Sequence, residues 1–442
     1  MLRKAAVFAA LLALPLAAVA QPRPLSLEEA LAAGLEKSPG LHASRLELEA
    51  ATARSREVAA GRLPSLKLGG GYTRLSEVPD FQVTLPISPD PIVVSQSYFN
   101  QFNLRLGVQQ PLFTGFRLQA GERSARLLEA AAGQDLEKNR AELVFAVKAA
   151  YWGLTRSREF EKVIDENVRQ VGEHLKDVRA FFDQGLATRN DVLRAELELS
   201  NAEIMRIDAR NAAEVALTTL VSLIGLPLDA DIDLTTSVES RASRIPAEAG
   251  KGDGDPIERA LAQRPEIKSA EFRIKASEMG VKAVRSAFLP QVYLSGNYYY
   301  LRPNPRILPS LDRFKGTWDV GVSVSFDIWN WGQTKRQTEQ AEARLGQARE
   351  ARKVLEDQAV LEVTQCRLSL ARAGEKVRVA GQAVGQAEEN LRVTTERFKQ
   401  GVALSSDVLD AEVALLRAKL GRTQAAIDQV VAQARLEKAL GE

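Results

Sequence analysis

An internal duplication constrains the fold of this 442-residue chain more than any other feature of its sequence. Residues 182–196 and residues 398–412 both fit the pattern F-x-Q-G-x-A-x-x-x-D-V-L-x-A-E. A second repeated pair of segments starts around Pro39 and Pro265, and each copy includes a Leu-Pro step. The repeated unit is therefore about half of the chain, which predicts two similar halves within one protomer.

The N-terminus has the composition of a secretory signal peptide. A short basic segment precedes an apolar run, and Ala18-Val19-Ala20 supplies the small residues of a cleavage site. The two repeats are separated by a stretch rich in Asp, Gly, Ser and Pro, which is typical of a linker. We therefore predict four segments: a signal peptide at 1–20, a first repeat at 21–228, a linker at 229–255 and a second repeat at 256–442.

Each repeat contains two segments with the alternation of a β-strand. In 317–328 apolar side chains occupy every second position, and 102–109 alternate in the same way. Each run is about ten residues long, the length that a tilted strand needs to span a bilayer. The sequence predicts β-hairpins at about 64–112 and 289–329. The alternation by itself is also compatible with a soluble hairpin that has one wet face.

Two further features of the hairpins favour a membrane. The loops are long and rich in proline, with four Pro in 76–97 and three in 302–315, and long loops on one side are typical of outer-membrane barrels. Aromatic residues cluster at the loop end of the hairpins, where an interfacial girdle would lie. They are Phe81, Tyr98, Phe99, Phe102, Tyr298, Tyr299, Tyr300, Phe314 and Trp318.

Three helical segments are predicted in each repeat. The first precedes the strands and ends at a Leu-Pro step, where the chain must leave the helix. The second is free of proline over about 68 residues, or about 100 Å of helix. The third returns from the duplicated motif. The bounds expected in the two copies are 25–62 and 256–288, then 115–182 and 332–398, then 191–223 and 407–440.

Apolar residues recur every seven positions in the long helix of the second copy, as they do in coiled coils. They are Val363, Leu370, Val377, Val384, Leu391 and Phe398. Small side chains occupy a second heptad position, which lets neighbouring helices approach closely: Cys366, Ala373, Ala380 and Ala387. We expect Cys366 to be a buried apolar residue rather than a reactive thiol.

The strands are too few to enclose a pore within one chain. About eight is the smallest useful number for a barrel, and four strands in lipid would leave open edges with unpaired backbone groups. Strands of other copies must therefore complete the ring, and two copies would supply eight strands while three would supply twelve. With long helices continuing from it, such an assembly would be a conduit.

Several motifs in combination resemble the TolC-like outer-membrane efflux protein family. They are Leu-Ser-Leu-Glu-Glu-Ala at 25–30, Gln-Pro-Leu-Phe-Thr-Gly at 110–115, Leu-Ile-Gly-Leu-Pro-Leu at 223–228 and the duplicated F-x-Q-G and D-V-L-x-A-E elements. The resemblance implies a mainly α fold with a transmembrane β-barrel portion. Four strands per protomer would contribute to a trimeric twelve-stranded barrel that continues into a long coiled-coil α-helical periplasmic barrel.

The same resemblance implies a function, a location and partners. The protein would be the outer-membrane exit duct of a tripartite efflux or type I secretion system, extending into the periplasm. Its partners would be two further copies of itself, outer-membrane lipid, a periplasmic adaptor protein and an inner-membrane transporter that supplies the energy.

Acidic residues near the hairpin tips are the candidate constriction of the pore. Asp407 and Asp410 are three residues apart at a helix start, so their carboxylates fall on nearly one face. The resemblance places these positions, together with Asp191, at the periplasmic constriction. The alternative is helix capping, because acids are favoured near helix N-termini. Relatives can carry a Tyr and an Arg that latch the tips, but this chain has Phe398 and Ala403 there.

The turns between the long helices and the return helices are the candidate contacts with the adaptor. Glycine after a helix end allows the chain to reverse. The residues expected at the tips are Gln184, Gly185 and Leu186 in the first copy and Gln400, Gly401 and Val402 in the second.

Composition excludes several other function classes. The 59 basic and 57 acidic residues nearly balance, which argues against a nucleic-acid partner. Two distant histidines and one cysteine do not form a metal cluster, and we predict no metal and no cofactor. Signatures of nucleotide-binding and hydrolytic enzymes are absent, so we expect no enzyme. A periplasmic coiled-coil adaptor or structural rod is the alternative to a channel, since it would share the long helices.

Overall fold

The computed structural model describes residues 23–84, 86–87, 90–242, 255–308 and 310–442. The predicted signal peptide at 1–20 and part of the predicted linker lie outside the described residues. The described chain forms two compact units. The first contains residues of 23–42, 140–256 and 362–442, and the second contains 43–139 and 257–361. Each unit therefore draws on both sequence repeats.

The first repeat begins with short elements and ends with two long helices. Its strands are β1 (Arg23–Leu25), β2 (Ser65–Arg74), β3 (Phe81–Val83), β4 (Ile92–Ser95) and β5 (Asn100–Thr114). Its helices are α1 (Leu27–Lys37), α2 (Pro39–Ala60), α3 (Arg117–Asp183) and α4 (Arg189–Leu223). The loop between β2 and β5 contains an antiparallel pair, β3 with β4, that the sequence analysis does not predict.

The second repeat has the same order of helices and long strands. It is preceded by β6 (Ile232–Leu234) and α5 (Val238–Ala242) and continues with α6 (Pro256–Gln263), α7 (Pro265–Arg285), β7 (Gln291–Arg302), β8 (Lys315–Ser325), α8 (Gln333–Lys399) and α9 (Ser405–Leu440). Strands β7 and β8 correspond to β2 and β5. The two long helices, α3 and α8, are each 67 residues long. Their bounds lie within two residues of the predicted ones.

The helical segment before each strand pair is divided in two, where the sequence predicts one helix. In the first copy α1 ends at Lys37 and α2 starts at Pro39, and in the second α6 ends at Gln263 and α7 starts at Pro265. Proline lacks the N–H that would continue the preceding helix, and it disfavours the helical conformation of the residue before it. The same residue serves well as the first position of a new helix.

Part of the predicted linker is ordered structure. Strand β6 pairs in parallel with β1, and Ile232 is buried. Tyr151 on α3 is also buried, and its hydroxyl donates to the carbonyl of Leu25 (3.0 Å) and accepts from the N–H of Thr236 (3.1 Å). The chain after the first repeat is therefore fixed to the core of the first unit.

The core of the first unit lies where α1, α3, α4 and α9 meet this small sheet. Its largest buried side chains are Tyr151 and Trp152, whose rings pack edge to face at 5.4 Å. The predicted heptad seam of α8 is also on the buried side, since Val363, Leu370 and Val384 are at most 5% exposed. Cys366 is buried, as predicted.

A four-stranded antiparallel sheet belongs to the second unit, in the order β2-β5-β7-β8. The two predicted hairpins supply β2 with β5 and β7 with β8, and β5 pairs with β7 to join the copies. Strands β2 and β8 are its edges. None of the helices within the described residues has the length and hydropathy to cross a membrane.

Candidate functional site

One face of the four-stranded sheet is apolar from edge to edge. The register places Leu68, Leu106 and Tyr298 beside one another, and Trp318 follows on the edge strand. These four neighbouring side chains are between 41% and 70% exposed, and a contiguous exposed apolar patch is typical of a surface that contacts a partner or a membrane. The face consists of Leu66, Leu68, Tyr72, Phe102, Leu104, Leu106, Val108, Val292, Leu294, Tyr298, Tyr300, Trp318, Val320, Val322 and Val324.

The other face of the sheet is polar, because successive side chains of a strand point to opposite sides. Three neighbouring strands carry a hydrogen-bonded network on this face. Arg105 donates to Oδ1 of Asn297 from Nε (3.0 Å) and Nη2 (2.7 Å), and Nδ2 of Asn297 donates to Asp319 (2.8 Å). The Arg105 guanidinium also lies over the ring of Tyr299 at 5.6 Å. The sheet is thus suited to two different media.

Aromatic rings cluster at the loop end of the sheet, as the sequence predicts. Phe102 contacts Tyr72 (5.0 Å between ring centroids) and Phe314 (5.7 Å), and Phe314 stacks on Tyr300 (5.1 Å). The guanidinium of Arg302 lies over two of these rings. The cluster joins both hairpins at this end of the sheet.

A second aromatic group, which was not predicted from the sequence, lies at the helix end of the sheet. Phe113 packs against Phe116 (5.5 Å), and Trp329 packs against Trp331 (5.8 Å). Phe116 and Trp331 are 60% and 89% exposed and have positive φ, an uncommon conformation for bulky residues. In the sequence, this group could have been found from the aromatic residues at the end of β5 and just after β5 and β8. The apolar face is therefore bounded by aromatic residues at both ends.

The two helix tips have the geometry predicted for them. Gly185 and Gly401 have φ of 76° and 71°, a left-handed conformation that glycine adopts without steric cost. In each tip the backbone N–H of the following residue, Leu186 or Val402, returns to a carbonyl of the preceding helix. Gln184, Gln400 and these four residues are exposed. The tips are compact turns that present their side chains to solvent.

Asp191 and Asp407 both cap the helices on which they lie. The Asp191 carboxylate accepts from the N–H (2.9 Å) and hydroxyl (2.6 Å) of Thr188, and these bonds lower the pKa of that carboxyl. Asp407 accepts from the N–H of Leu404 at 3.0 Å. Both carboxylates therefore cap a helix N-terminus, the alternative to a role in the pore constriction. Asp410 is exposed one turn further along α9.

The two copies of the duplicated motif pack against each other in the first unit. Val192 and Val408, which occupy the same motif position, belong to one buried cluster. Phe398 is buried in that cluster and contacts Phe181 (5.2 Å) and His174 (5.3 Å). Phe398 is therefore a packing residue.

His174 is a buried polar residue in the same region. A ring nitrogen, Nε2, lies 3.0 Å from the hydroxyl oxygen of Ser405 at the start of α9. Burial lowers the pKa of the imidazole, so the neutral form is favoured in the folded chain. The bond ties the long helix of the first copy to the return helix of the second.

Glu412 is a buried acid that was not predicted from the sequence. It is 5% exposed, and its Oε2 has no hydrogen-bond partner in the structure. Burial, with a smaller contribution from the charge of Glu198, raises the pKa of its carboxyl to about 7. A charged group in this place is costly because nothing replaces its hydration.

A comparison of the two motif copies explains this environment. Glu196 is the equivalent of Glu412, and its carboxylate pairs with Arg179 at 2.6 Å. The residue that corresponds to Arg179 in the second copy is Thr395, which brings no positive charge. The site could have been predicted from the sequence, because the second copy keeps the glutamate but has Thr395 in place of the arginine.

No group of three or more His, Cys, Asp or Glu side chains within the described ranges is arranged to hold a metal ion.

Comparison with protein families gives one match that covers most of the chain. The family described as "Outer membrane efflux protein" matches residues 31–226 and 257–442. The two matched segments correspond to the two repeats, and the unmatched stretch between them includes residues 243–254, which lie outside the described structure.

Individual relatives agree with this match. The chain is 27% identical over 339 residues to the outer membrane efflux protein BepC of Brucella suis biovar 1, covering 76% of this chain and 72% of the relative. It is 27% identical over 337 residues to the alkaline protease secretion protein AprF of Pseudomonas aeruginosa, covering 75% of this chain and 64% of the relative. The crystal structure of the outer membrane protein VceC from Vibrio cholerae has the same fold, with a TM-score of 0.77 at 22% identity and coverage of 94% and 96%.

Proposed function

Because this chain belongs to the outer membrane efflux protein family and is an outer-membrane efflux channel, we propose that it works as a homotrimer. The trimer serves as the passive exit duct for a periplasmic adaptor and an inner-membrane transporter. The family consists of efflux ducts rather than enzymes, and we propose that the chain has no catalytic activity and no cofactor. A periplasmic adaptor or rod would have no use for a sheet with an exposed apolar face.

The two-faced sheet is the observation that carries this proposal. Its apolar face suits lipid and its polar face suits a water-filled lumen. Strands β2 and β8 are edges, and in lipid an edge leaves backbone N–H and C=O groups unpaired at a cost of several kcal/mol each. Pairing β2 of one protomer with β8 of the next removes every edge when three copies close a ring of twelve strands.

Unpartnered apolar stripes on two helices also support the trimer. On α4 the exposed apolar residues are Leu193, Leu197, Ile204, Ile207 and Val215, each between 49% and 67% exposed. On α8 they are Val354, Leu361, Leu368, Val379 and Val393, each between 37% and 68% exposed. Both helices bury a different heptad face within the protomer. A second stripe at similar spacing favours contact with helices of another chain.

The proposed partners follow from the family and from the tips. AprF is named for protein secretion and BepC for efflux, and we propose that this chain serves a tripartite system of one of these two kinds. The exposed tips at 184–186 and 400–402 are the proposed contacts with the adaptor. We propose no nucleic-acid partner, because the numbers of basic and acidic residues nearly balance.

Asp407 and Asp410 form the proposed constriction, with Asp191 nearby on the equivalent helix. Three copies of the pair would place six carboxylates around a narrow mouth, which favours cations. Capping does not conflict with this role, because the N–H of Leu404 occupies only one carboxylate oxygen of Asp407, Oδ2.

Replacing both acids of the pair should change ion preference. In Asp407→Asn with Asp410→Asn, we expect the cation preference of the reconstituted channel to fall and block by multivalent cations to weaken at least tenfold, since the ring loses its charge. Planar-bilayer conductance measures both. Asn retains an acceptor for the Leu404 N–H, so the helix cap is preserved.

A matched control separates charge from structure. Glu389→Gln removes an exposed carboxylate of α8 that pairs with Arg392, and it should leave preference and block unchanged. Preference and block that are identical in the double variant and the native channel would exclude these acids from the constriction.

Bulky residues at the tips should impair docking to the adaptor. Gly185→Val or Gly401→Val places a β-branched side chain in a left-handed conformation, which costs about 1–2 kcal/mol and reshapes the turn. We expect export to be lost while trimers persist in the outer membrane. Export assays, cross-linking to the adaptor and gel analysis of trimers test this. Gly172→Val, in the interior of α3 with open space around it, is the control, and normal export in both tip variants would contradict a close fit.

A further inference from the structure

Three arginines line one cavity at the helix end of the sheet. Arg62 follows α2 and precedes β2, while Arg123 and Arg126 lie on the first turns of α3. The cavity has a volume of about 320 Å³, within the range of small-molecule sites. Its lining is Arg62, Gln119, Glu122, Arg123, Arg126 and Leu127.

One buried carboxylate holds two of these arginines in place. Glu122 accepts from Nη1 of Arg62 at 2.9 Å and from Nη2 of Arg126 at 2.6 Å. The hydrogen bond from Arg62, with the charge of Arg126, keeps the pKa of the Glu122 carboxyl below its usual range. One negative charge therefore faces three positive ones, and the cavity keeps a net positive charge.

The arrangement suits a phosphate group. Each guanidinium has five N–H donors, and Glu122 takes one from Arg62 and one from Arg126. Arg123 adds a third fork from the same helix face as Gln119 and Leu127. Planar guanidinium forks match phosphate oxygens bidentately, and charge-assisted hydrogen bonds of this type are the strong ones.

A second cavity extends from the arginines to the apolar end of β5. It has a volume of about 150 Å³, shares Arg62 and Gln119 with the first, and is otherwise lined by residues 110–114 and Leu118. Leu112 and Phe116 beside it are 55% and 60% exposed. The second cavity is itself lined mainly by polar atoms, so the apolar part of this surface is formed by the exposed side chains of Leu112 and Phe116. A ligand whose phosphate enters the cavities and whose apolar chain lies on these two side chains would match it.

We propose that the Arg62–Arg123–Arg126 pocket binds the phosphate of a phospholipid headgroup in the periplasmic leaflet of the outer membrane. This rests on the proposed function, in which the strands span the membrane and the helices continue into the periplasm. The acyl chains lie along Leu112 and Phe116, and the aromatic residues at the helix end of the sheet mark the depth of the headgroups. The bound lipid anchors each protomer at the membrane boundary.

Native mass spectrometry of the full trimer in detergent tests the proposal. The probes are phosphatidylglycerol, phosphatidylethanolamine and inorganic phosphate, each added separately. We expect one tightly held phospholipid per protomer, and about 10- to 100-fold weaker binding in Arg123→Gln, since it loses one charge-assisted contact. Arg123 makes no ion pair with Glu122, so this variant leaves the internal Arg62–Glu122–Arg126 contacts intact. Arg117→Gln, on the same helix but outside the pocket, should bind like the native chain.

Each contrary outcome overturns the assignment in a different way. Equal phospholipid binding by Arg123→Gln and the native trimer excludes the pocket. Inorganic phosphate bound as tightly as phospholipid shows an anion site without a lipid. Dissociation of the Arg123→Gln trimer assigns the arginines to a subunit contact. Outer-membrane recovery and conductance of the native trimer are measured in parallel, because their failure would overturn the proposed function rather than the pocket.

Discussion

Arginine at Val320 should prevent assembly in the outer membrane, whereas arginine at Ser323 should be tolerated. Val320 is the central residue of β8 on the apolar face and is 66% exposed, and Ser323 lies on the opposite face of the same strand. An arginine facing lipid near the bilayer midplane costs about 2–4 kcal/mol, and a trimer would incur that cost three times. Lumen-facing substitutions alter selectivity instead.

The comparison is made on membranes from cells that express each variant. The measured quantity is the fraction of chain recovered from outer membranes as a detergent-resistant trimer. We expect a loss of most of this fraction for Val320→Arg and native-like recovery for Ser323→Arg. Equal recovery of the two variants would mean that the apolar face does not meet lipid. A loss in Ser323→Arg alone would reverse the assignment of the two faces.

Replacing Glu412 with glutamine should stabilise the protein at pH 8 and have little effect at pH 5. The pKa of the folded carboxyl is about 7, compared with 4.5 as the ordinary value. Between these two values the folded chain holds a proton that the unfolded chain has released, so the free energy of unfolding decreases as pH rises. The full penalty above pH 7 is about 3 kcal/mol, and glutamine removes it. At pH 5 the gain falls below about 1 kcal/mol.

Glu196→Gln is the matched control for this experiment. Glu196 occupies the equivalent motif position, but its exposed pair with Arg179 contributes at most about 1 kcal/mol. Thermal unfolding in detergent, followed by circular dichroism at both pH values, gives the change for each variant. His174 has a lowered pKa in native and variant proteins alike, so its contribution cancels. An equal change at the two pH values for Glu412→Gln would contradict ionisation as the cause.

The sequence predicts the long elements well because their signals are local. Absence of proline and a seven-residue period are properties of neighbouring positions, and they give the bounds of α3 and α8 to within two residues. Alternation likewise gives the two faces of β8. Two features were not predicted. One is the division of the helical segment before Pro39 and Pro265. The other is the pairing of β6 with β1, which depends on residues about 200 positions apart.

The candidate site was predicted unevenly. The tips at Gly185 and Gly401 follow from the duplicated motif, and their role in docking stays a prediction, as does the constriction at Asp191, Asp407 and Asp410. The arginine pocket was not predicted, because Arg62 approaches α3 only in the folded second unit. Single arginines in a helix rich in charged residues do not indicate by their spacing that they share a pocket.

Local sequence patterns are enough to predict the duplication, the two strand pairs and the two long helices with heptad spacing. The differences between duplicated positions arise from packing in the folded chain. Phe398 and Glu412 are buried, while their equivalents Phe182 and Glu196 are more exposed and Glu196 has an arginine partner. Burial and pKa depend on the surfaces that a residue meets, and these surfaces differ between the two copies at Phe398 and Glu412 although they are alike at Val192 and Val408.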